Sequence, residues 1–123
     1  MESCRAPHFA SAFDPANFVQ CGSEVFPDAF KLLKPYIKYV HIKDALDDGS
    51  NVPAGMGAGR IEEVLANLKA DGYEGFLSLE PHLGSFEGLA ELEHTPLADK
   101  LEASGLHTFK LAHSSLQSII NKI

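Results

Sequence analysis

Tryptophan is absent from the 123 residues, and cysteine occurs only twice, at Cys4 and Cys21. Two thiols make no disulfide framework and match no zinc spacing, so they read as free thiols in a reducing cytosol. Long apolar runs are also missing: no stretch reaches the roughly 18 residues that a membrane span requires. The start, Met1-Glu2-Ser3-Cys4-Arg5, lacks the basic opening and apolar core of a signal peptide. Basic residues are outnumbered, with 10 Lys and Arg against 17 Asp and Glu and a formal charge of −7. An acidic surface repels phosphate backbones. The densest basic stretch, Lys31, Lys34, Lys38 and Lys43, is broken by a proline and by apolar residues. Nucleic acid and membrane are therefore excluded as expected partners, while a small anionic substrate, which needs only local donors, is not. The rest of the composition, 45% hydrophobic and 22% charged, is ordinary for a soluble globular protein, which we expect in the cytoplasm. At this length we expect one structural unit over residues 1–123, with no linker.

Three strand-like segments each lead into a loop and then a helix-like segment. The first runs from His8 to Phe13 and ends at Asp14-Pro15, where the proline biases Asp14 to extended geometry. A helix is expected from about Ser23, a good N-cap, with Pro27 and Asp28 early and Pro35 as its stop. The second strand is Tyr36 to Ile42, followed by a polar loop from Asp47 to Gly59 that holds four glycines. The clearest helix follows, with Ile61, Val64, Leu65 and Leu68 at i, i+3, i+4 and i+7 spacing and Gly72 as its C-cap glycine. The third strand is Phe76 to Leu79, ending at Glu80-Pro81. Residues 84–105 read as irregular. A last helix over about Leu106 to Asn121 is expected to bury Phe109, Ala112, Leu116, Ile119 and Ile120. Strands alternating with helices predict βαβ units and a parallel sheet, in the α/β class.

Each strand ends in a polar residue able to coordinate a metal: Asp14, His41 and Glu80. In parallel α/β folds the C-terminal strand ends converge on the site. His41 follows Asp14 by 27 residues and Glu80 follows His41 by 39, spacings that suit one repeat of a barrel averaging about 30 residues per unit. Two carboxylates and an imidazole make a hard, mixed set suited to Mn²⁺, Mg²⁺, Co²⁺ or Zn²⁺. Each residue also has a plainer reading. Asp14 could open a turn, and His41 could be a satisfied core histidine. Glu80 is harder to dismiss, because a glutamate after Phe76-Leu77-Ser78-Leu79 is costly to bury unless paired, metal-bound or chemically active. Lys43 and Asp44 either face the site, Lys43 as a hydroxyl or phosphate contact, or form a strand-end ion pair. The run Gly55-x-Gly57-x-Gly59 either presents N–H groups to a phosphate or is a tightly turning loop. It lacks the lysine of a nucleotide phosphate loop. Of the remaining histidines only His82 falls near the site.

Phe13-Asp14-Pro15-Ala16-Asn17, Tyr39-Val40-His41-Ile42-Lys43-Asp44 and Leu77-Ser78-Leu79-Glu80 resemble the last three strand motifs of the xylose isomerase-like TIM barrels, the sugar-phosphate isomerases and epimerases. Val52-Pro53-Ala54-Gly55-Met56-Gly57-Ala58-Gly59-Arg60-Ile61 resembles that family's Pro-x-Gly-x-Gly loop, and Gly72-Tyr73-Glu74-Gly75 the turn before its eighth strand. The resemblance implies a partial (βα) TIM barrel, about three parallel strands with helices matching the last three of eight units, in a C-terminal fragment. It implies Asp14, His41 and Glu80 as ligands of a divalent cation. Glu80 would also be the catalytic group, moving a proton beside the carbonyl of a sugar or sugar phosphate while the metal stabilises the enediolate. Asn17, Lys43, Asp44 and His82 are the implied substrate contacts. Asn17 stands where family members often carry histidine, and it does not titrate near neutral pH. The fourth ligand, a glutamate from an earlier strand, has no counterpart here. Met1 falls where the family has the end of a preceding helix, so an internal start is expected. The isolated chain should then be inactive, and should associate with itself or with the N-terminal part. The alternatives are an inert structural fragment of such a barrel or a related polyol dehydratase. A relative that cuts DNA at abasic sites is disfavoured by the acidic charge and the scarcity of further ligands.

Overall fold

The computed structural model describes residues 8–83 and 105–123. Three parallel strands form the sheet: β1 (Ser11–Phe13), β2 (Ile37–Ile42) and β5 (Phe76–Leu79), with β2 in the centre. Between them come the helices α1 (Pro15–Gln20), α2 (Phe30–Leu33) and α3 (Ile61–Ala70). The small antiparallel pair β3 (Asp44–Ala45) and β4 (Asn51–Val52) follows β2, and the helix α4 (Gly105–Lys122) ends the chain. The parallel α/β reading of the sequence therefore holds, and the long helices fall where the apolar periodicity put them. No helix among the described residues is long and apolar enough to cross a membrane.

The register explains which side chains go where. Phe13 pairs with Val40 and Val40 with Leu77, while Ala12 pairs with Tyr39 and Tyr39 with Phe76. Paired residues of parallel strands share a face, and successive residues alternate. One face thus carries Phe13, Val40, Ile42, Leu77 and Leu79 and packs under the helices with Phe30, Ile61, Val64, Leu65, Leu68, Leu116 and Ile119. The other carries Ala12, Asp14, Tyr39, His41, Phe76, Ser78 and Glu80. Period two puts Phe13, Val40, Ile42 and Leu77 on the helix side once Asp14, His41 and Glu80 take the other. Phe13 and Val40 are fully buried, whereas Phe76 is 75% exposed.

Other boundaries shift for local reasons. β1 starts at Ser11 rather than His8. The segment after it is helical at once, because Asp14 accepts from the Asn17 N–H and Pro15 occupies the first helical position. The helix α1 ends at Gly22, whose left-handed φ of 68° allows the Gly22 N–H to reach Val19 O and the Ser23 N–H to reach Phe18 O. Gly72 closes α3 in the same way, with φ 71° and bonds from Gly72 and Tyr73 to Lys69 O and Leu68 O, the paired C-terminal bonds of a Schellman motif. Ser23 therefore follows a helix instead of starting one. The next segment enters α2 through an irregular turn over Val25–Ala29, in which Phe26 is extended, and Pro35 lies in a short 3-10 turn beyond α2. In α4, Ala112, Leu116 and Ile119 are buried as expected, but Phe109 and Ile120 are 49% and 39% exposed. The irregular reading of residues 84–104 lies outside the described residues.

Candidate metal centre

Asp14, His41 and Glu80 meet at the C-terminal end of the sheet, each held by a different device. Asp14 follows β1 and caps α1. Its Oδ1 accepts the Asn17 N–H at 3.1 Å, which leaves Oδ2 pointing at His41. His41 is the penultimate residue of β2, and its ring meets that of Tyr39 edge-to-face at 5.4 Å. Glu80 is fixed by its own N–H, which extends the β2–β5 ladder to Ile42 O at 3.1 Å. His41 Nδ1 then stands 3.5 Å from Asp14 Oδ2 and 3.2 Å from Glu80 Oε1. One donor atom from each residue lies within 4.8 Å of the others.

That geometry has a chemical meaning. Two carboxylates converge on one ring nitrogen, which carries at most one proton and can satisfy only one of them with it. A cation between the three atoms satisfies all of them. At metal–ligand distances of about 2.0–2.2 Å, neighbouring ligands sit roughly 3.0–3.6 Å apart, which matches the 3.5 and 3.2 Å separations from His41 Nδ1. The donor set of two oxygens and one nitrogen fits the hard or borderline divalent ions named above. Among the described residues the centre is an open shelf. His41 and Glu80 side chains are 28% and 34% exposed, and clefts of about 510 and 470 Å³ elsewhere in the chain include none of the three residues.

Three further residues of the sequence reading gather here. Lys43 Nζ donates to Asn17 Oδ1 at 3.1 Å and lies 4.0 Å from Asp14 Oδ2, with its side chain only 10% exposed. Asn17 itself is exposed. His82 Nε2 is 3.9 Å from Glu80 Oε2, and this imidazole stands largely in solvent.

Asp44 does not join them. It is 1% exposed, and its carboxylate accepts four backbone N–H groups: Ala45 and Gly59 on Oδ1, at 2.9 and 2.8 Å, and Gly55 and Gly57 on Oδ2, at 2.9 and 3.0 Å. Neither reading of Asp44 survives: it neither opens onto the site nor pairs with Lys43. The same bonds decide the glycine loop, whose N–H groups are turned onto an internal carboxylate and not toward a phosphate. Close wrapping explains the glycines. A Cβ on Gly57 would strike Ala45 O and Asp44 Oδ1, and one on Gly59 would come within 2.6 Å of Asp44 Oδ1. An aspartate at a strand end followed by a glycine-spaced loop was the available signal. The capping role of Asp14 adds to the ligand and turn readings, and its signal is the Asp-Pro pair, an N-cap residue followed by proline at the first helical position.

Comparison with known proteins places this arrangement. The crystal structure of a xylose isomerase domain protein from Planctomyces limnophilus superposes with a TM-score of 0.59 at 24% identity. The match covers 98% of this chain and 40% of that one, so the chain spans less than half of that protein's length and the likeness is one of fold. Among curated proteins none matches. The family profile described as the xylose isomerase-like TIM barrel matches residues 1–103, a span that contains all three strands and the whole of the Asp14, His41 and Glu80 cluster. With the parallel sheet, the strand-end cluster and most of the sequence in agreement, the chain belongs to the xylose isomerase-like TIM barrel family.

Proposed function

We propose that this chain is the C-terminal part of a divalent-metal-dependent isomerase or epimerase of sugars or sugar phosphates, contributing the last three units of an eight-unit barrel. The observation that carries the reading is the gathering of one donor atom each from Asp14, His41 and Glu80 within 4.8 Å of one another at the strand ends. Asp14, His41 and Glu80 hold the ion, which when bound supplies positive charge to offset negative charge developing on substrate oxygens. Glu80 takes a proton from the carbon beside the substrate carbonyl. It returns that proton to the neighbouring carbon in an isomerisation, the hydroxyl proton passing between the two substrate oxygens, whereas in an epimerisation an acid from the earlier units would deliver a proton to the opposite face of the same carbon. Asn17 and Lys43 orient hydroxyl or anionic groups of the substrate, and His82 borders the open side.

The first five units would supply the fourth ligand, the shell that supports these residues, and closure from water. Without them the ion is poorly enclosed, and outer-shell losses alone weaken metal sites by about 10–100-fold. The isolated chain should therefore bind weakly and be inactive. Titration with Mn²⁺ followed by electron paramagnetic resonance tests this. Weak saturable binding is expected, abolished in His41→Ala. Tight binding by the monomer, or binding indifferent to His41→Ala, contradicts the reading. A second reading, an inert fragment, is favoured by the open sheet edges discussed below. Recovery of isomerase activity on mixing with the first five units separates the two.

A further inference from the structure

The rings of Phe76, Tyr39 and His41 climb one face of the sheet toward the metal centre. Phe76 and Tyr39 are register partners on β5 and β2, and their ring centroids lie 6.1 Å apart. Tyr39 precedes His41 by two residues, so the two side chains share a face. Their rings meet at 5.4 Å with an interplanar angle of 85°, within the range that edge-to-face aromatic pairs adopt. The other strand neighbours on this face are small. His41 pairs with Ser78, and Tyr39 pairs with Ala12 on its other side. Neither carries enough bulk to restrain an imidazole.

A metal-binding histidine usually has its second nitrogen hydrogen-bonded to a carboxylate, a carbonyl or water, and that bond fixes the ring's orientation. Here Nδ1 takes both carboxylate contacts, and the described residues give Nε2 no hydrogen bond. Both carboxylates act at one nitrogen, so they leave the ring free to pivot about it. We infer that Tyr39 is a positioning residue. Its ring, backed by Phe76, holds the His41 imidazole in the rotamer that keeps Nδ1 beside Asp14 and Glu80. An aromatic contact thus does what a hydrogen bond does in most metal sites. The inference rests on the metal-centre reading and adds a support that acts through His41. The ring carries this role and the hydroxyl does not, so phenylalanine should serve in its place and a flexible aliphatic side chain should not.

Mn²⁺ affinity is measured by paramagnetic resonance in the native chain, Tyr39→Phe and Tyr39→Leu. Electron spin echo modulation at saturating Mn²⁺ reads the coupling of the ion to the His41 ring nitrogen. We expect Tyr39→Phe to match the native chain in both. Tyr39→Leu should bind about three- to tenfold more weakly, the worth of one edge-to-face pair, with a reduced nitrogen coupling. Native affinity and coupling in Tyr39→Leu would overturn the inference and leave the metal centre intact. So would equal losses in Tyr39→Phe and Tyr39→Leu, or a lowered melting temperature in Tyr39→Leu with the coupling unchanged. A second measurement needs no variant. In the metal-free native chain, nuclear Overhauser contacts between the ring protons of Tyr39 and His41 should be present, and their absence would overturn the inference. Absence of Mn²⁺ binding by the native chain would instead defeat the metal-centre reading, and the inference with it.

Discussion

Single carboxylates in this chain do separate jobs according to what surrounds them. Asp14 divides its oxygens, with Oδ1 capping α1 and Oδ2 facing His41 and Lys43, so one residue ties the helix start to the centre. Asp44 gives both oxygens to backbone N–H groups and organises the loop from Gly55 to Gly59. Sequence alone distinguishes these two only in part. Both are aspartates just past a strand, and the difference lies in which backbone donors fold back onto them. The consequence for Asp44 is testable by Asp44→Asn. The amide keeps the size but turns one acceptor into a donor facing N–H groups, so about two buried N–H groups lose their partner, each worth roughly 1–3 kcal/mol. A loss of about 3 kcal/mol should lower the melting temperature by roughly 10 °C or more in a chain of this size. An unchanged melting temperature would mean that the loop does not depend on this carboxylate.

At the level of elements, legibility followed the physics that sets each one. The helix α3 was readable because four apolar residues recur at helical spacing and Gly72 closes it, and all four are buried. The strands β2 and β5 were readable from short apolar runs between turn signals. The helix α1 was not, because six residues are too few for a periodicity and its evidence is confined to its ends, Asp14-Pro15 and Gly22. The ribbon of β3 and β4 was also missed: two residues a side carry no alternation, and its cause is the burial of Asp44 beneath the glycine loop. The candidate site was largely legible, since strand ends fix where Asp14, His41 and Glu80 stand. The pairing of Lys43 with Asn17 was not, because it joins residues 26 apart whose approach depends on α1.

At the scale of the molecule, the described residues cover the sheet on one side. Phe13, Val40 and Ile42 lie beneath the helices, while Tyr39 and Phe76 pack ring to ring at 6.1 Å on the face opposite and remain open. Among the described residues neither β1 nor β5 has a partner on its outer edge, and such edges invite pairing. Covering Phe76 and Phe9, which is 54% exposed, would each recover up to about 1.5–3 kcal/mol, a large share of a typical stability of roughly 5–15 kcal/mol. We therefore expect the isolated chain to form dimers or larger assemblies, or to join the earlier units of the barrel. Light scattering across a dilution series should record masses above that of one chain at high concentration. A single monomeric mass with cooperative unfolding would show that the open face needs no cover.

The central claim is that Asp14, His41 and Glu80 form one metal centre, and anomalous diffraction from crystals soaked in Mn²⁺ or Co²⁺ tests it most directly. The account predicts an anomalous peak about 2.0–2.2 Å from Asp14 Oδ2, His41 Nδ1 and Glu80 Oε1, absent from crystals of His41→Ala. Ordered side chains at the same positions with no peak between them, or a peak bound by other residues, would contradict it.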